Sequence, residues 1–194
     1  MNLDKCNNYR ESTQEAKRRI FGRRFQDATL SSIRWDEKKI KKLHDWMVKP
    51  SGMLVLMGPP GTGKTYACAA IVDWIHQKCD RYRYHEEAKI FEKLRDCMSK
   101  GHEYSREIPG MLDDKIVLLN DVGSMGFDKI KYPWREEVWF MIIDTLYNNM
   151  TPTVVTSNLD QGQLLAITHP RLSSRIFDKS HTIIDLCGEQ DFRQ

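Results

Sequence analysis

The sequence lacks the features that mark secreted, zinc-binding and membrane-spanning proteins. Its cysteines are odd in number and include no C-x-x-C pair, which argues against a disulfide framework and against a zinc site. They are Cys6, Cys68, Cys79, Cys97 and Cys187. No apolar run is long enough to span a bilayer, and the polar amino terminus does not have the pattern of a secretory signal. We therefore expect a protein of the reducing cytoplasm with no membrane partner.

The sequence also has little net charge, because 30 Lys and Arg residues and 27 Asp and Glu residues leave only +3. The basic residues are nevertheless concentrated near the start. They are Lys17, Arg18, Arg19, Arg23, Arg24, Lys38, Lys39, Lys41 and Lys42. Such a cluster can contact nucleic acid or can simply be a solvated face, and both interpretations stay open. We expect residues 1–24 to form a basic arm and residues 25–194 to form one domain.

A phosphate-binding pattern follows the apolar run Met53–Met57, which has strand character. Residues Gly58–Thr65 fit G-x-x-x-x-G-K-[ST] at every position. Glycines let the backbone N–H groups point at phosphate oxygens, the lysine reaches the β- and γ-phosphates, and the hydroxyl ligates Mg²⁺. Residues 66–75 are compatible with a helix whose positive amino-terminal dipole would face the same phosphates. The residues predicted to bind a nucleoside triphosphate are Gly58, Pro59, Pro60, Gly61, Thr62, Gly63, Lys64 and Thr65. Thr65 is also a candidate Mg²⁺ ligand.

Strands and helices alternate along the rest of the chain. Strands are predicted at residues 82–84, 115–119, 153–156 and 182–186, and helices at 14–21, 37–48, 66–75, 86–98 and 135–149. Continuous apolar strands are typical of a parallel sheet that is covered on both faces. The alternation therefore predicts an α/β fold with a mainly parallel sheet.

Three further motifs supply polar side chains that a nucleotide site needs. Asn120 and Asp121 follow the third predicted strand, where P-loop enzymes place a carboxylate for Mg²⁺ and another that orients the attacking water. Asn158 follows the next strand and could bond the γ-phosphate or the water, although an asparagine at a turn needs no such role. Arg171 and Arg175 share a helical face. Such arginines are usually surface charges, but one of them could act as an arginine finger.

Together these motifs resemble the AAA+ ATPases, and within them the DnaC/DnaI-type helicase loaders and the IstB transposition ATPases. The resemblance covers residues 25–193 and rests on Phe25–Leu30, Gly58–Thr65, the helix at 86–98, Asn120–Gly123, Thr156–Leu159, Arg171–Arg175 and Asp191–Arg193. It implies a P-loop three-layer sandwich, no separate lid domain, and ATP and Mg²⁺ as cofactors. In the family, the helix at 86–98 belongs to an element that touches single-stranded DNA. Lys89, Lys93 and Arg95 are therefore candidate phosphate contacts, with a solvated helix face as the alternative.

The end of the third predicted strand departs from the family pattern. Asn120 stands where the family usually has an aspartate, which leaves Thr65, Asn120 and Asp121 as candidate metal ligands and Asp121 in the position of the catalytic acid. An amide keeps the shape but loses the charge, and charge-assisted hydrogen bonds are about twice as strong as neutral ones. Alternatively, Asp121 serves the metal and no separate catalytic acid exists. Both alternatives predict slow ATP hydrolysis, with ATP acting mainly as an assembly switch.

The resemblance implies a helicase loader that self-assembles through Arg171 or Arg175 and acts on a replicative helicase and single-stranded DNA during replication initiation. An IstB-like ATPase that acts on double-stranded DNA in transposition is the near alternative. Two alternatives come from other classes. One is a small-molecule P-loop kinase, and the other is a regulatory protein that binds ATP without hydrolysing it.

Overall fold

The computed structural model describes residues 13–78, 81–125 and 133–193, in which helices and strands alternate. The helices are α1 (residues 13–21), α2 (Glu37–Val48), α3 (Lys64–Gln77), α4 (Glu87–Ser99), α5 (Glu107–Leu112), α6 (Pro133–Asn148), α7 (Gln161–Ile167) and α8 (Pro170–Ile176). The strands are β1 (Met53–Met57), β2 (Tyr82–Glu86), β3 (Ile116–Asn120), β4 (Thr153–Ser157) and β5 (Thr182–Asp185).

The five strands form one sheet in the order β2-β3-β4-β1-β5, and each pair of neighbours is parallel. Because all strands run in the same direction, the segments that follow β1, β3 and β4 meet at one edge of the sheet. The predicted α/β fold with a parallel sheet is confirmed. This edge is where parallel α/β sheets bind ligands.

The sheet is covered on both faces, which gives three layers. Alternate residues of β1 point to opposite sides, so that Val55 packs in one core cluster and Leu54 and Leu56 pack in the other. The first cluster contains the buried faces of α4, α5, α6 and α8, and the second contains those of α2 and α3. Burial on both faces explains why strands β1 and β3 are apolar at nearly every position.

Capping residues set where several helices begin. The Asp36 carboxylate accepts a hydrogen bond from the backbone N–H of Lys39 at 3.0 Å and thereby caps α2. Asp160 and Gln163 form a reciprocal capping box at the start of α7. Pro170 occupies the first turn of α8, where its missing N–H costs nothing.

Helix α1 packs against the domain through a buried lysine. Lys17 is only 2% exposed, and its ammonium donates to the carbonyl oxygen of Ala28 at 2.9 Å and to the carboxylate of Asp73 at 3.0 Å. One of the basic residues near the start is therefore neither a solvated charge nor a nucleic-acid contact, because an ion pair with α3 occupies it. The division into an arm and a domain at residues 24 and 25 stays a prediction.

Other sequence expectations concern cysteines and membranes. Cys68, Cys97 and Cys187 are free thiols. Cys6, Cys79 and residues 1–12 of the predicted arm lie outside the described residues. None of the helices in the described part of the chain combines the length and the apolar character that crossing a membrane requires.

Candidate functional site

The loop between β1 and α3 is shaped by glycines that no other residue could replace. Gly58 and Gly61 have φ values of 136° and 91°. A Cβ on Gly58 would lie 2.8 Å from the backbone of Leu186, and one on Gly61 would lie 2.1 Å from the Asp191 carboxylate. Since side chains other than hydrogen would be strained and would clash, the loop needs glycine at both positions. The loop ends at the amino terminus of α3, where backbone N–H groups are available to an anion.

Lys64 is the first residue of α3 and points back into the loop. Its ammonium donates to the carbonyl oxygens of Gly58 at 2.5 Å and Pro59 at 2.8 Å, and the side chain is nearly buried. Burial lowers the pKa of Lys64 to about 8. A phosphate oxygen can replace these neutral carbonyl acceptors with a charged one, which gives a stronger hydrogen bond.

The loop opens into a pocket of about 700 Å³. Its lining residues are Arg24, Phe25, Ser32, Ile33, Arg34, Trp35, Gly61, Gly63, Lys64, Thr65, Tyr66, Asp121, Asn158, Phe192 and Arg193. The pocket thus brings together Lys64, Thr65, Asp121 and Asn158, which the sequence predicted as site residues from three separate motifs. Pro59 and Pro60 are exposed beside it, whereas Thr62 is buried and its hydroxyl donates to the carbonyl of Pro59 at 2.9 Å.

Asp121 lies at the carboxyl end of β3 in a left-handed conformation with a φ of 60°. Its backbone N–H donates to the hydroxyl of Thr156 at 3.0 Å, and the amide of Asn158 donates to its carboxylate at 3.2 Å. Burial raises the pKa of Asp121, and the positive charge of Lys64 opposes that rise. The conformation is one that aspartate tolerates better than most residues, and it holds the carboxylate in the pocket.

Asn120 is nearly buried and does not line the pocket. Its amide oxygen accepts a hydrogen bond from the Thr156 hydroxyl at 2.8 Å. Of the three candidate metal ligands, Thr65 and Asp121 do line the pocket, and a hydroxyl and a carboxylate supply hard oxygen ligands. Mg²⁺ carried by a nucleotide usually uses one or two carboxylates together with phosphates and water, so these residues fit that ion. Within the described residues no cluster of three His, Cys, Asp or Glu side chains could hold a metal by itself.

The pocket lining also includes Phe25, Ile33, Trp35 and Phe192, a mainly aromatic group that we call the aromatic end. The indole N–H of Trp35 donates to the carbonyl of Thr62 at 2.8 Å, and the backbone N–H of Phe192 donates to the carbonyl of Gly61 at 3.0 Å. Segments from both ends of the chain are thereby tied to the phosphate-binding loop.

Sequence reasoning assigned no role to the residues of the aromatic end or to Arg193. Arg193 lies close enough to Lys64 for its charge to contribute to the lowered pKa of that lysine, after burial. The signal was present, since Phe25–Leu30 and Asp191–Arg193 belong to the motifs of the resemblance. Their position beside the phosphate-binding loop follows only from the folded sheet.

The loop after β3 is held by a residue that the sequence did not single out. Glu87, the first residue of α4, is 1% exposed. Its carboxylate accepts hydrogen bonds from the N–H of Gly123 (3.1 Å), the hydroxyl of Ser124 (2.8 Å), the N–H of Met125 (2.9 Å) and the indole of Trp139 (2.8 Å). These bonds satisfy the buried charge and fix the segment that follows Asp121.

The remaining predicted site residues lie away from the pocket lining. Arg171 is exposed on α8, and Arg175 donates to the carboxylate of Asp144 at 2.6 Å while its guanidinium lies 4.9 Å from the ring centre of Phe140. The predicted nucleic-acid contacts Lys89, Lys93 and Arg95 are exposed on α4. The structure therefore gathers Lys64, Thr65, Asp121 and Asn158 at the pocket, but not Asn120, the two arginines or the α4 residues.

Comparison with known sequences identifies the family. Residues 9–187 match the sequence model of the family described as IstB-like ATP binding protein. The chain belongs to this IstB-like family. The match spans nearly the whole described structure, including the phosphate-binding loop, the ends of β3 and β4, and α8. No curated protein shows a significant sequence match to the chain.

Solved structures that resemble this IstB-like chain are AAA+ domains. DnaI matches with a TM-score of 0.68 and 21% identity over 88% of this chain and 93% of that chain. The DnaC helicase loader matches with a TM-score of 0.67 and 20% identity over 84% and 98%. The replication initiator DnaA bound to AMPPCP and single-stranded DNA matches with a TM-score of 0.65 and 18% identity over 81% and 49%.

These identities are low, so the likeness establishes the fold and not the activity. The fold is that of P-loop AAA+ domains, and the resemblance to the DnaC/DnaI and IstB group is confirmed. The chain spans about half the length of the DnaA chains that it matches.

Proposed function

We propose that this IstB-like chain is an AAA+ ATPase that self-assembles in a nucleotide-dependent way and acts on a replicative helicase and single-stranded DNA during replication initiation. The observation that carries the proposal is the position of Arg171 and Arg175, which lie outside the pocket of their own chain. Arginines in such positions can complete the nucleotide site of a neighbouring copy. The similarity to the DnaC helicase loader and to DnaA bound to single-stranded DNA supports the choice of partners.

ATP would lie across the pocket with its phosphates on the loop Gly58–Thr65 and its base at the aromatic end. Lys64 would exchange its two carbonyl acceptors for phosphate oxygens. Thr65 and Asp121 would hold Mg²⁺, which when bound would neutralise charge on the phosphates. The size of the pocket, about 700 Å³, suits a ligand of this size.

Slow hydrolysis follows from the polar groups at the end of β3. Asp121 would serve the metal, and Asn158 would hold its carboxylate through their 3.2 Å hydrogen bond. Among the described residues that line the pocket, no second carboxylate is left to accept the proton of the attacking water. Asn120 is neutral and its oxygen is already bonded to Thr156, so it adds no negative charge to the metal site. We therefore propose that ATP acts mainly as a ligand that controls assembly.

Self-assembly would use the exposed face of α8. Arg171 is exposed, whereas Arg175 is bonded to Asp144 and stacked on Phe140. For Arg175 to reach a neighbour's nucleotide it must exchange a carboxylate for a phosphate. This exchange keeps the guanidinium paired with an anion, so it does not leave a bare charge.

Single-stranded DNA would contact the exposed face of α4. Lys89 pairs with Glu86 at 3.0 Å and Lys93 pairs with Glu107 at 3.4 Å, and all four side chains are at least partly exposed. Exposed ion pairs contribute little stability, so DNA phosphates can compete for both lysines. Arg95 is exposed on the same helix. A role at replicating DNA would place the protein in the cytoplasm.

A second candidate function is an IstB-like role on double-stranded DNA in transposition. The family match favours it, because that family is the one whose sequence model matches the chain. Family membership gives no support to the alternative of a small-molecule kinase.

The test is the mass of the protein in solution by light scattering. It is measured alone, with ATP and Mg²⁺, and with ATP, Mg²⁺ and either single-stranded or double-stranded DNA. We expect growth from monomer to oligomer with nucleotide, a further increase with single strands, and loss of growth in Arg171→Ala or Arg175→Ala. Arg106→Ala is the matched control, since Arg106 is an exposed arginine that pairs with the exposed Glu103.

Each result discriminates between the candidates. An increase with double strands and not with single strands would favour the transposition role. A monomer under all conditions would contradict a self-assembling ATPase. A direct assay of ATP hydrolysis that finds rapid turnover in the natural protein would contradict the proposed switch role.

A further inference from the structure

Three polar side chains lie next to one another where β2, β3 and β4 end. Glu86 is in register with Asn120, and Asn120 is hydrogen-bonded to Thr156. Two residues earlier, Leu118 and Val154 pack in the core cluster that contains the buried face of α3. Since residues two apart on a strand share a face, Asn120 and Thr156 lie on the face that α3 covers, and Glu86 shares that face as the register partner of Asn120. The amino terminus of α3 carries Lys64 and Thr65.

The negative charge in this row is carried by Glu86. Asn120 occupies the position at which the AAA+ pattern has an aspartate, and Thr156 is neutral. The charge that is absent on β3 is thus present one strand further out, at the register partner of Asn120. Neighbouring strands are about 4.8 Å apart. Mg²⁺ keeps several of its waters in protein sites, so a carboxylate at this additional distance can act on the ion through a bound water.

We propose that Glu86 supplies the outer carboxylate of the nucleotide-bound Mg²⁺ site, in place of the aspartate that the family pattern has at Asn120. The proposal rests on the proposed function, because it requires a metal–nucleotide complex in the pocket. Glu86 is a positioning residue in this scheme: it orients water on the ion, while Thr65 and Asp121 contact the ion directly.

Two neighbouring side chains, Tyr84 and Lys89, hold the Glu86 carboxylate in place. The hydroxyl of Tyr84 donates to one carboxylate oxygen at 3.2 Å, and the ammonium of Lys89 lies 3.0 Å from the other. Tyr84 belongs to the same α3-facing core cluster as Leu118. The strand register places Glu86 one strand beyond Asn120, the residue that precedes Asp121 in the chain.

The experiment measures the Mg²⁺ dependence of nucleotide binding. A fluorescent ATP analogue is titrated in EDTA and at increasing Mg²⁺ concentrations, with the natural protein and with Glu86→Gln. We expect Glu86→Gln to raise the half-saturating Mg²⁺ concentration about 10-fold, as is typical when an outer-shell partner of a metal is removed. Affinity in EDTA should be unchanged, because the phosphate-binding loop is intact. The double variant Glu86→Gln/Asn120→Asp should return the Mg²⁺ requirement to within about threefold of the natural protein.

Two controls separate charge at the metal from other effects. Lys89→Gln removes the ion pair but keeps the Glu86 carboxylate, and Glu92→Gln removes an exposed carboxylate from the same helix. If Lys89→Gln or Glu92→Gln raised the half-saturating Mg²⁺ concentration as much as Glu86→Gln does, the proposal would be overturned. The same holds if Glu86→Gln weakened binding equally in EDTA, or if the double variant gave no recovery. If circular dichroism shows that Glu86→Gln folds poorly, Glu86→Asp replaces it, because aspartate keeps the charge but shortens the side chain. This variant must raise the half-saturating Mg²⁺ concentration by an amount between those of the natural protein and the expected change of about 10-fold.

The outcome is distinguishable from failure of the proposed function. If the natural protein bound no nucleotide under any condition, both proposals would fail. If it bound nucleotide equally well in EDTA and in Mg²⁺, nucleotide binding would stand and the assignment of Glu86 would be overturned.

Discussion

The two ends of the nucleotide pocket are built in different ways. The phosphate-binding end comes from one continuous stretch, Gly58–Thr65, whose shape is set by glycines with positive φ and by the start of α3. The aromatic end comes from Phe25, Ile33 and Trp35 near one end of the chain and Phe192 near the other. One end is therefore fixed by local backbone geometry, and the other exists only when the sheet has formed.

The difference shows how a nucleotide site can divide its tasks. The phosphate-binding end supplies charge and N–H donors, and the aromatic end supplies apolar surface. Two hydrogen bonds join them, from Trp35 to Thr62 and from Phe192 to Gly61. Because these bonds hold backbone atoms of the loop itself, the aromatic end can also influence the phosphates. Substitutions at each end, compared with two ligands, distinguish ends that act separately from ends that act as one unit.

The largest effect is expected at the phosphate-binding end. Lys64→Ala should weaken binding of both ATP and inorganic triphosphate about 100-fold, because hydrogen bonds to a charged group contribute about 1.5–3 kcal/mol. Isothermal titration calorimetry measures both ligands. Lys38→Ala, at an exposed lysine on α2, is the control and should bind both ligands normally. A loss below tenfold for triphosphate would mean that the loop does not depend on the charge of Lys64.

A smaller and more selective effect is expected at the aromatic end. Phe192→Ala should weaken ATP binding about 10-fold, since stacking of a base on an aromatic side chain contributes about 1–3 kcal/mol. Triphosphate binding should be unchanged, because triphosphate has no base. Phe192→Tyr keeps the ring and should keep the affinity for ATP. If Phe192→Ala weakened triphosphate as strongly as ATP, Phe192 would act through its hydrogen bond to Gly61, and the two ends would not be separable.

Most of the fold could be predicted because apolar runs indicate most of its strands, and because polar or glycine-containing segments separate these strands from the helices. The predicted strands differ from β1–β5 by a few residues at their ends. Helices α5 and α7 were missed. The sequence of α5 contains Pro109 and Gly110, which are poor helix formers, yet Ile108 and Met111 are buried in the core. Tertiary packing therefore overrides local propensity there. The burial of Lys17 was also missed, because its partner Asp73 is distant in sequence.

The site was predictable where its chemistry is local. Lys64 and Thr65 come from one motif, and Asp121 and Asn158 follow strands that neighbour each other in the sheet, so the sequence could bring them to one edge. The aromatic end and Glu87 could not be placed, because their contacts join segments that only the sheet order brings together. Glu87 in particular resembles any glutamate at a helix start until its four hydrogen-bond donors are seen. The catalytic and assembly roles of the arginines stay predictions.

The smallest effect is expected in the pH dependence of ATP affinity, which should arise at the phosphate-binding end and not at the aromatic end. In the free protein the pKa of Lys64 is lowered to about 8 by burial, and a bound phosphate would raise it again by favouring the charged form. Below the free pKa the lysine is already protonated, so ATP affinity is at its maximum there. Above it, binding requires uptake of a proton, and affinity should fall about threefold between about pH 7.5 and about pH 8.5.

Adenosine provides the internal control for this pH dependence, because it contacts only the aromatic end and does not meet the Lys64 ammonium. Its affinity should be constant over the same interval, whereas that of ATP declines, as measured by calorimetry in buffers of different ionisation enthalpy. Proton uptake on ATP binding at the higher pH should appear as a heat that depends on the buffer. An ATP affinity that rose with pH would contradict the lowered pKa of Lys64. An equal decline for adenosine would show that the pH dependence does not arise from the contact between Lys64 and the phosphates.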